Sequence, residues 1–211
     1  MRFAQFIYDG VEPVEMAIYG VLSMARRIAP EIEMFTVAPR AGVVELANGL
    51  RVLADYAMAD CPPADVLIVC GGPGWSREAA NPATLDFLKS FRPRRALVSV
   101  CTGGMILAAT GLLDGRRATT KRDGFEGEPS PLRLMREKFP AIQVLEARLV
   151  DEGPVITGGG VTLCIDTTLH LLRRFLGNEV ATRTAKAMAY SDAWEANHVA
   201  LGDWTSPESA P

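Results

Sequence analysis

At 211 residues, with 48% hydrophobic and 22% charged side chains, the chain has the composition of a soluble globular protein long enough for one full core. A formal net charge of −3 excludes a general nucleic-acid binder, and no apolar run approaches membrane-spanning length. Four cysteines at irregular spacing, with no leader before them, point to a cytoplasmic location; two histidines without zinc-like spacing leave no expected metal, and no cofactor is expected.

In chain order, Phe3–Tyr8 reads as a buried strand, and Pro13–Ile28 as a helix whose apolar face carries Val14, Ile18, Leu22 and Ala25. Glu15 lies in its first turn, where a carboxylate either complements the helix dipole at the surface or points into a pocket at the strand ends. Glu33–Ala38 is a second strand. Val43–Leu46 and Arg51–Ala54 form a hairpin through Asn48-Gly49. Asp65–Cys70 is a continuous apolar strand that runs into Gly71-Gly72-Pro73-Gly74. That loop lacks the third glycine of a dinucleotide fingerprint and follows a middle strand, so it reads as a tight turn or as a backbone N–H donor at Gly72.

Asn81-Pro82 opens a helix through Phe91, and Ala96–Val100 is the next strand. Arg117–Thr120 is a short strand, and Ser130-Pro131 caps the helix Pro131–Phe139. Gln143–Leu145, Arg148–Val150 and Val155–Thr157 are short strands, the last two paired through Asp151–Gly153. The helix Thr162–Leu176 has a core stripe at Leu169, Leu172 and Phe175, with Cys164 read as packing and His170 as a surface residue. A helix Glu179–Tyr190 follows. Residues 1–190 form a single domain, residues 191–211 are read as an irregular tail, and Pro207–Pro211 as disordered. The basic clusters Arg92/Arg94/Arg95, Arg116/Arg117 and Lys121/Arg122 are assigned to solvated loops.

Strands alternating with helices predict an α/β three-layer sandwich with a mostly parallel central sheet. Ligands in such folds gather at the carboxyl ends of the strands, where Glu15, Gly71/Gly72, Cys101 and Gly158–Gly160 all fall. Cys101 ends its strand abruptly and is followed by Thr102-Gly103-Gly104 and a change to helical spacing. That pattern matches a nucleophile elbow with sulfur in place of hydroxyl; a buried strand-end cysteine is the bland alternative. Trp75, Phe125 and Tyr19 are expected near the pocket because they follow strand ends.

These residues carry a resemblance to the ThiJ/PfpI superfamily, the cysteine-dependent branch of the class I glutamine amidotransferase-like, flavodoxin-like fold. The resemblance covers roughly residues 2–190. Its signposts are Val69-Cys70-Gly71-Gly72-Pro73-Gly74, Ser99-Val100-Cys101-Thr102-Gly103-Gly104, the run Ala108–Thr120 and Thr157-Gly158-Gly159-Gly160-Val161-Thr162. The run from Cys101 to Thr120 is most similar to the isocyanide hydratases, and equally to the front domain of certain AraC-family regulators. The resemblance implies Cys101 as the functional thiol, Glu15 as its acidic contact, Gly72 and Thr102 as oxyanion-hole donors, and a homodimer. Two departures stand out: Lys121 occupies a position where the family commonly has histidine, and Glu15 one where isocyanide hydratases show aspartate.

The function that follows is a cysteine-dependent hydratase or hydrolase acting on a small electrophile, an isocyanide or a reactive carbonyl. A Cys101 thiolate would attack, and a protonated Glu15 would supply the proton. Two alternatives stand beside it: an oxidative or electrophile-stress sensor built on an exposed low-pKa thiol, and a ligand-binding module without turnover. The partner is a small molecule in each case. DNA and membrane partners are not expected.

Overall fold

The computed structural model describes residues 1–207. β1 (Arg2–Phe6) leads through a one-turn 3-10 segment, Pro13–Met16, into α1 (Ala17–Ala25). β2 (Glu33–Ala38), the antiparallel pair β3 (Gly42–Glu45) and β4 (Arg51–Ala54), and a two-residue edge strand β5 (Tyr56–Ala57) follow. Asn48 and Gly49 both adopt positive φ in the β3–β4 turn, the conformation anticipated for that dipeptide.

β6 (Val66–Val69) precedes α2 (Trp75–Glu78) and α3 (Pro82–Ser90), and β7 (Ala96–Ser99) precedes α4 (Gly103–Ala109). The Asn81 side chain caps α3 by accepting from Ala83 N–H. Next come β8 (Arg117–Ala118), α5 (Pro131–Lys138), β9 (Gln143–Val144), β10 (Leu149–Asp151) and β11 (Val155–Gly158). Ser130 caps α5 through its hydroxyl, which accepts from Arg133 N–H. The chain closes with α6 (Leu163–Leu176), α7 (Asn178–Ala187), α8 (Ser191–Leu201) and β12 (Asp203–Thr205).

The main sheet has the order β12-β10-β11-β7-β6-β1-β2-β5 and is parallel throughout except for the β10–β11 pair. Every residue of β6 and β7 is buried, as expected for central parallel strands covered on both faces. α1, α6 and α7 pack on one another, while α4 packs on α2, α3 and α5, which makes the two outer layers of an α/β sandwich. β11, β7, β6, β1, β2 and β5 run in one direction and deliver their carboxyl ends to one edge of the sheet, whereas β10 and β12 run the opposite way. Among the described residues no helix is long and apolar enough to cross a membrane.

The reading of residues 191–211 as an irregular tail is corrected. Residues 191–201 form α8, and 203–205 add β12 to the main sheet beside β10. The anchor is Arg148, 1% exposed, whose guanidinium meets Asp166 at 3.1 Å and Asp203 at 2.7 Å. It also donates to the Trp194 carbonyl, and Asn197 and Tyr190 donate to Asp166. His170 is likewise not a surface residue. It is buried in α6 and bonded to Asp151 at 2.8 Å. The reading of Pro207–Pro211 as disordered falls, for residues 208–211, outside the described residues.

Candidate functional site

Three loops at the carboxyl edge of the sheet meet around one sulfur. Cys101, at the end of the β7 strand run, adopts φ +52°, a left-handed conformation that costs a non-glycine residue about 1–3 kcal/mol. Its N–H donates to the carbonyls of Gly158, which ends β11, and of Gly159 just after it, at 3.1 and 3.0 Å. Its carbonyl accepts from Thr120 Oγ1 at 2.7 Å. Those bonds hold the strained residue from both sides and turn the sulfur out of the strand. The elbow anticipated from Cys101-Thr102-Gly103-Gly104 is therefore present in the backbone.

Glu15 reaches the same point from the opposite loop. The Gln5 side-chain amide, projecting from β1, donates to the Glu15 carbonyl at 3.0 Å and to Cys70 Sγ at 3.2 Å. Glu12 N–H donates to Gly71 O and Gly74 N–H to Gly10 O, both at 3.0 Å, so the β1 and β6 loops are zipped together by their backbones. The glycines of Gly71-Gly72-Pro73-Gly74 permit that approach: a Cβ on Gly72 would run into the Glu12 peptide, and one on Gly71 would lie 2.7 Å from Cys101 Cβ.

Glu15 is fully buried. Neither of its carboxyl oxygens completes a hydrogen bond of ordinary geometry, although the Cys101 thiol and the Gly71 peptide face it. Burial dominates and pushes its pKa up from 4.5 to about 8, with those two neighbours offsetting part of the effect. Glu15 is consequently a protonated acid at neutral pH, one of the two roles open to it in the sequence.

The sulfur departs from expectation. Cys101 exposes only 2% of its surface, and burial, followed by the Glu15 charge, pushes the thiol well above its ordinary value. Thr102 N–H and the Lys121 ammonium pull the other way. The N–H groups of Gly103 and Gly104 are engaged with Val100 O and Cys101 O, so the start of α4 offers the sulfur only the Thr102 amide. An exposed, anionic sulfur at rest is therefore replaced by a shielded thiol beside a carboxylic acid. Gly72 also changes role. Its N–H donates to Thr102 Oγ1 at 2.9 Å and is occupied, so it braces Thr102 rather than standing free for an oxyanion.

Beside the elbow lies a cavity of about 290 Å3 lined by Thr120, Lys121, Gly159, Gly160 and the apolar side chains of Leu132, Leu163 and Leu201; neither Cys101 nor Glu15 is itself among its walls. An ideal Cβ on Gly160 would sit 2.6 Å from Cys101 Sγ, so this wall residue lies directly against the sulfur and only a glycine lets it do so. Trp75, Tyr19 and Phe125 are not among its walls. Trp75 opens α2, Tyr19 lies on the outer side of α1, and Phe125 is 76% exposed in its loop. Lys121 was placed on a solvated loop; it is half-buried and belongs to the cavity. Leu201 was missed altogether, though Trp194, His198 and Leu201 recur at helical spacing. Cys70 and Cys164 are buried around Glu15, and among the described residues no group of histidine, cysteine and acidic side chains could hold a metal ion.

Comparison with known proteins gives a consistent result. The model of the DJ-1/PfpI family matches residues 1–174. The isonitrile hydratase of Pseudomonas putida is 33% identical over 183 residues, covering 86% of this chain and 74% of that enzyme. The HTH-type transcriptional regulator CdhR of Pseudomonas aeruginosa is 32% identical over 146 residues, 69% of this chain but only 41% of the regulator. Among solved structures, a ThiJ/PfpI family protein from Pseudomonas syringae superposes with a TM-score of 0.76 at 26% identity, covering 90% of this chain and 75% of the other.

Proposed function

The chain belongs to the DJ-1/PfpI family, and from that membership we propose that it is a cysteine-dependent, hydratase-like enzyme whose substrate is a small electrophile. The observation that carries the reading is Cys101 held at φ +52° against a buried, protonated Glu15 that has no ordinary hydrogen-bond partner of its own. Strain and orphaned polar atoms both cost stability, and they persist where function requires them.

A neutral acid–thiol pair suits addition to an isocyanide carbon, which acquires sulfur and hydrogen together. Glu15 delivers its proton to that carbon and takes the thiol proton as the C–S bond forms, leaving a thioformimidate. Water adds to the same carbon, a proton reaches nitrogen, and the C–S bond breaks to release an N-substituted formamide and the thiol. Thr102 N–H, which faces the sulfur, stabilises negative charge as the C–S bond forms and breaks. The match to an isonitrile hydratase supports a reaction of this class.

The test is turnover of small aliphatic isocyanides, followed as formamide by NMR. Cys101→Ser should lose at least about a hundredfold in rate; retention of the wild-type rate would refute the assignment. A second reading, ligand binding without turnover, is favoured by the regulator match and by the high thiol pKa. Under that reading calorimetry would register binding of an isocyanide or a carbonyl compound that emerges unchanged.

A further inference from the structure

The cavity walled by Gly160, the residue that lies against Cys101, has an unequal set of charges. Arg122 is committed at the rim, its guanidinium 2.8 Å from Asp123 and 3.5 Å from Glu146, and both carboxylates are more than half exposed. Lys121 is different. It is half-buried, it lines the cavity, and among the described residues no carboxylate lies within ion-pair distance of it. The neighbouring hydroxyls cannot serve a ligand as donors while their present bonds last: Thr120 Oγ1 donates to Cys101 O and Thr119 Oγ1 to Ala147 O. The remaining walls include Leu132, Leu163 and Leu201. A half-buried ammonium beside apolar side chains gains most from an anion that restores what desolvation removed.

Taking Cys101 as the reacting atom, we propose that Lys121 anchors a carboxylate, so that the substrate is a small electrophile with an anionic head and an aliphatic body against the three leucines. A volume of about 290 Å3 lies at the low end for ligand pockets and admits a molecule of that kind. A single lysine, without an arginine fork or a nest of free amides, suits a monoanion better than a phosphate ester. An anchor there also orders the ligand: its head lies at Lys121 and its electrophilic carbon at Gly160, the wall residue that lies against the sulfur. The lysine thereby becomes a specificity determinant.

Two alkylating agents of nearly equal shape test this on the intact protein. Iodoacetate and iodoacetamide each form an S–C bond to Cys101 and expel iodide, but only the first carries a charge. The ratio of their rates at Cys101, read by peptide mass spectrometry at fixed ionic strength, cancels any change in the thiol itself. The wild-type ratio should exceed that of 2-mercaptoethanol by about tenfold, the worth of one partly desolvated charge contact. Lys121→Met should return the ratio to the reference, and Lys121→Arg should retain part of the preference. Isovalerate should slow iodoacetamide labelling of the wild-type protein, whereas isovaleramide should not. An unchanged ratio in Lys121→Met, or equal effects of acid and amide, would overturn the anchor while leaving Cys101 reactive. Failure of both reagents to label Cys101 before denaturation would overturn the reading of the sulfur, and the anchor with it.

Discussion

Replacing Glu15 by glutamine should make the protein more stable, by an amount that depends on pH. In the folded protein the carboxyl titrates at about 8 rather than 4.5, so between these values the native state holds a proton that the unfolded chain has released. Stability therefore falls as pH rises through that window. The penalty is near zero below pH 4.5, and at 1.36 kcal/mol per pH unit it reaches about 3 kcal/mol at pH 7 and levels near 5 kcal/mol above pH 8. Glutamine keeps the shape, carries no charge, and leaves its polar atoms in the same dry surroundings, so the subtraction isolates the proton. Urea unfolding followed by tryptophan fluorescence from pH 4 to pH 9, wild type against Glu15→Gln, measures it directly. The two proteins should agree at pH 4 and diverge steadily toward pH 8. Parallel curves, or a glutamine variant less stable at pH 8, would refute the claim that burial governs this carboxyl. The same variant should lose turnover, because an amide cannot deliver the proton.

Gly160→Ala would place a methyl group 2.6 Å from Cys101 Sγ, and iodoacetamide labelling of Cys101 should fall by about a hundredfold while circular dichroism stays native. Labelling at the wild-type rate would show that reagents reach the sulfur by another route. Arg148→Leu should cost about 3–5 kcal/mol in urea unfolding, because it strands the Asp166 carboxylate in the interior. Limited proteolysis should then cut between residues 190 and 205, where α8 and β12 lose their common anchor; an uncut, fully stable variant would contradict this.

The parts of the molecule legible in the sequence are those set by local rules. Asn81 and Ser130 precede prolines and do cap α3 and α5, and the apolar runs at 66–70 and 96–98 do become β6 and most of β7. Glu15 and Cys101 each follow a strand that ends at the same edge of a parallel sheet, so topology put both at that edge, while their pairing was implied by the family resemblance. Arg148 was not legible. A lone arginine among polar residues gives no sign that two aspartates from distant segments will close around it, so the last 21 residues looked irregular.

The protonation state of the pair was hidden for a related reason. The sequence displays the groups that favour an anion at residue 101, namely a backbone amide, a helix start and a lysine, because these are neighbours along the chain or members of a motif. It does not display the dielectric. Burial arises from the whole assembly of β1, β6, β7 and α6 around the site, and it reverses the sign of the expected shift on Cys101 while strengthening the one on Glu15. With both acids protonated the site keeps only the charge of Lys121 at rest, and a substrate anion held there neutralises it. That lowers the electrostatic help that Lys121 gives a thiolate. Chemistry by paired proton transfer, which needs no free thiolate, is the route that tolerates an anionic substrate in the same cavity. If instead the iodoacetate preference disappears as Glu15 deprotonates above pH 8, the buried carboxylate and the substrate anion are competing for one cation, and an anionic substrate requires Glu15 to stay protonated.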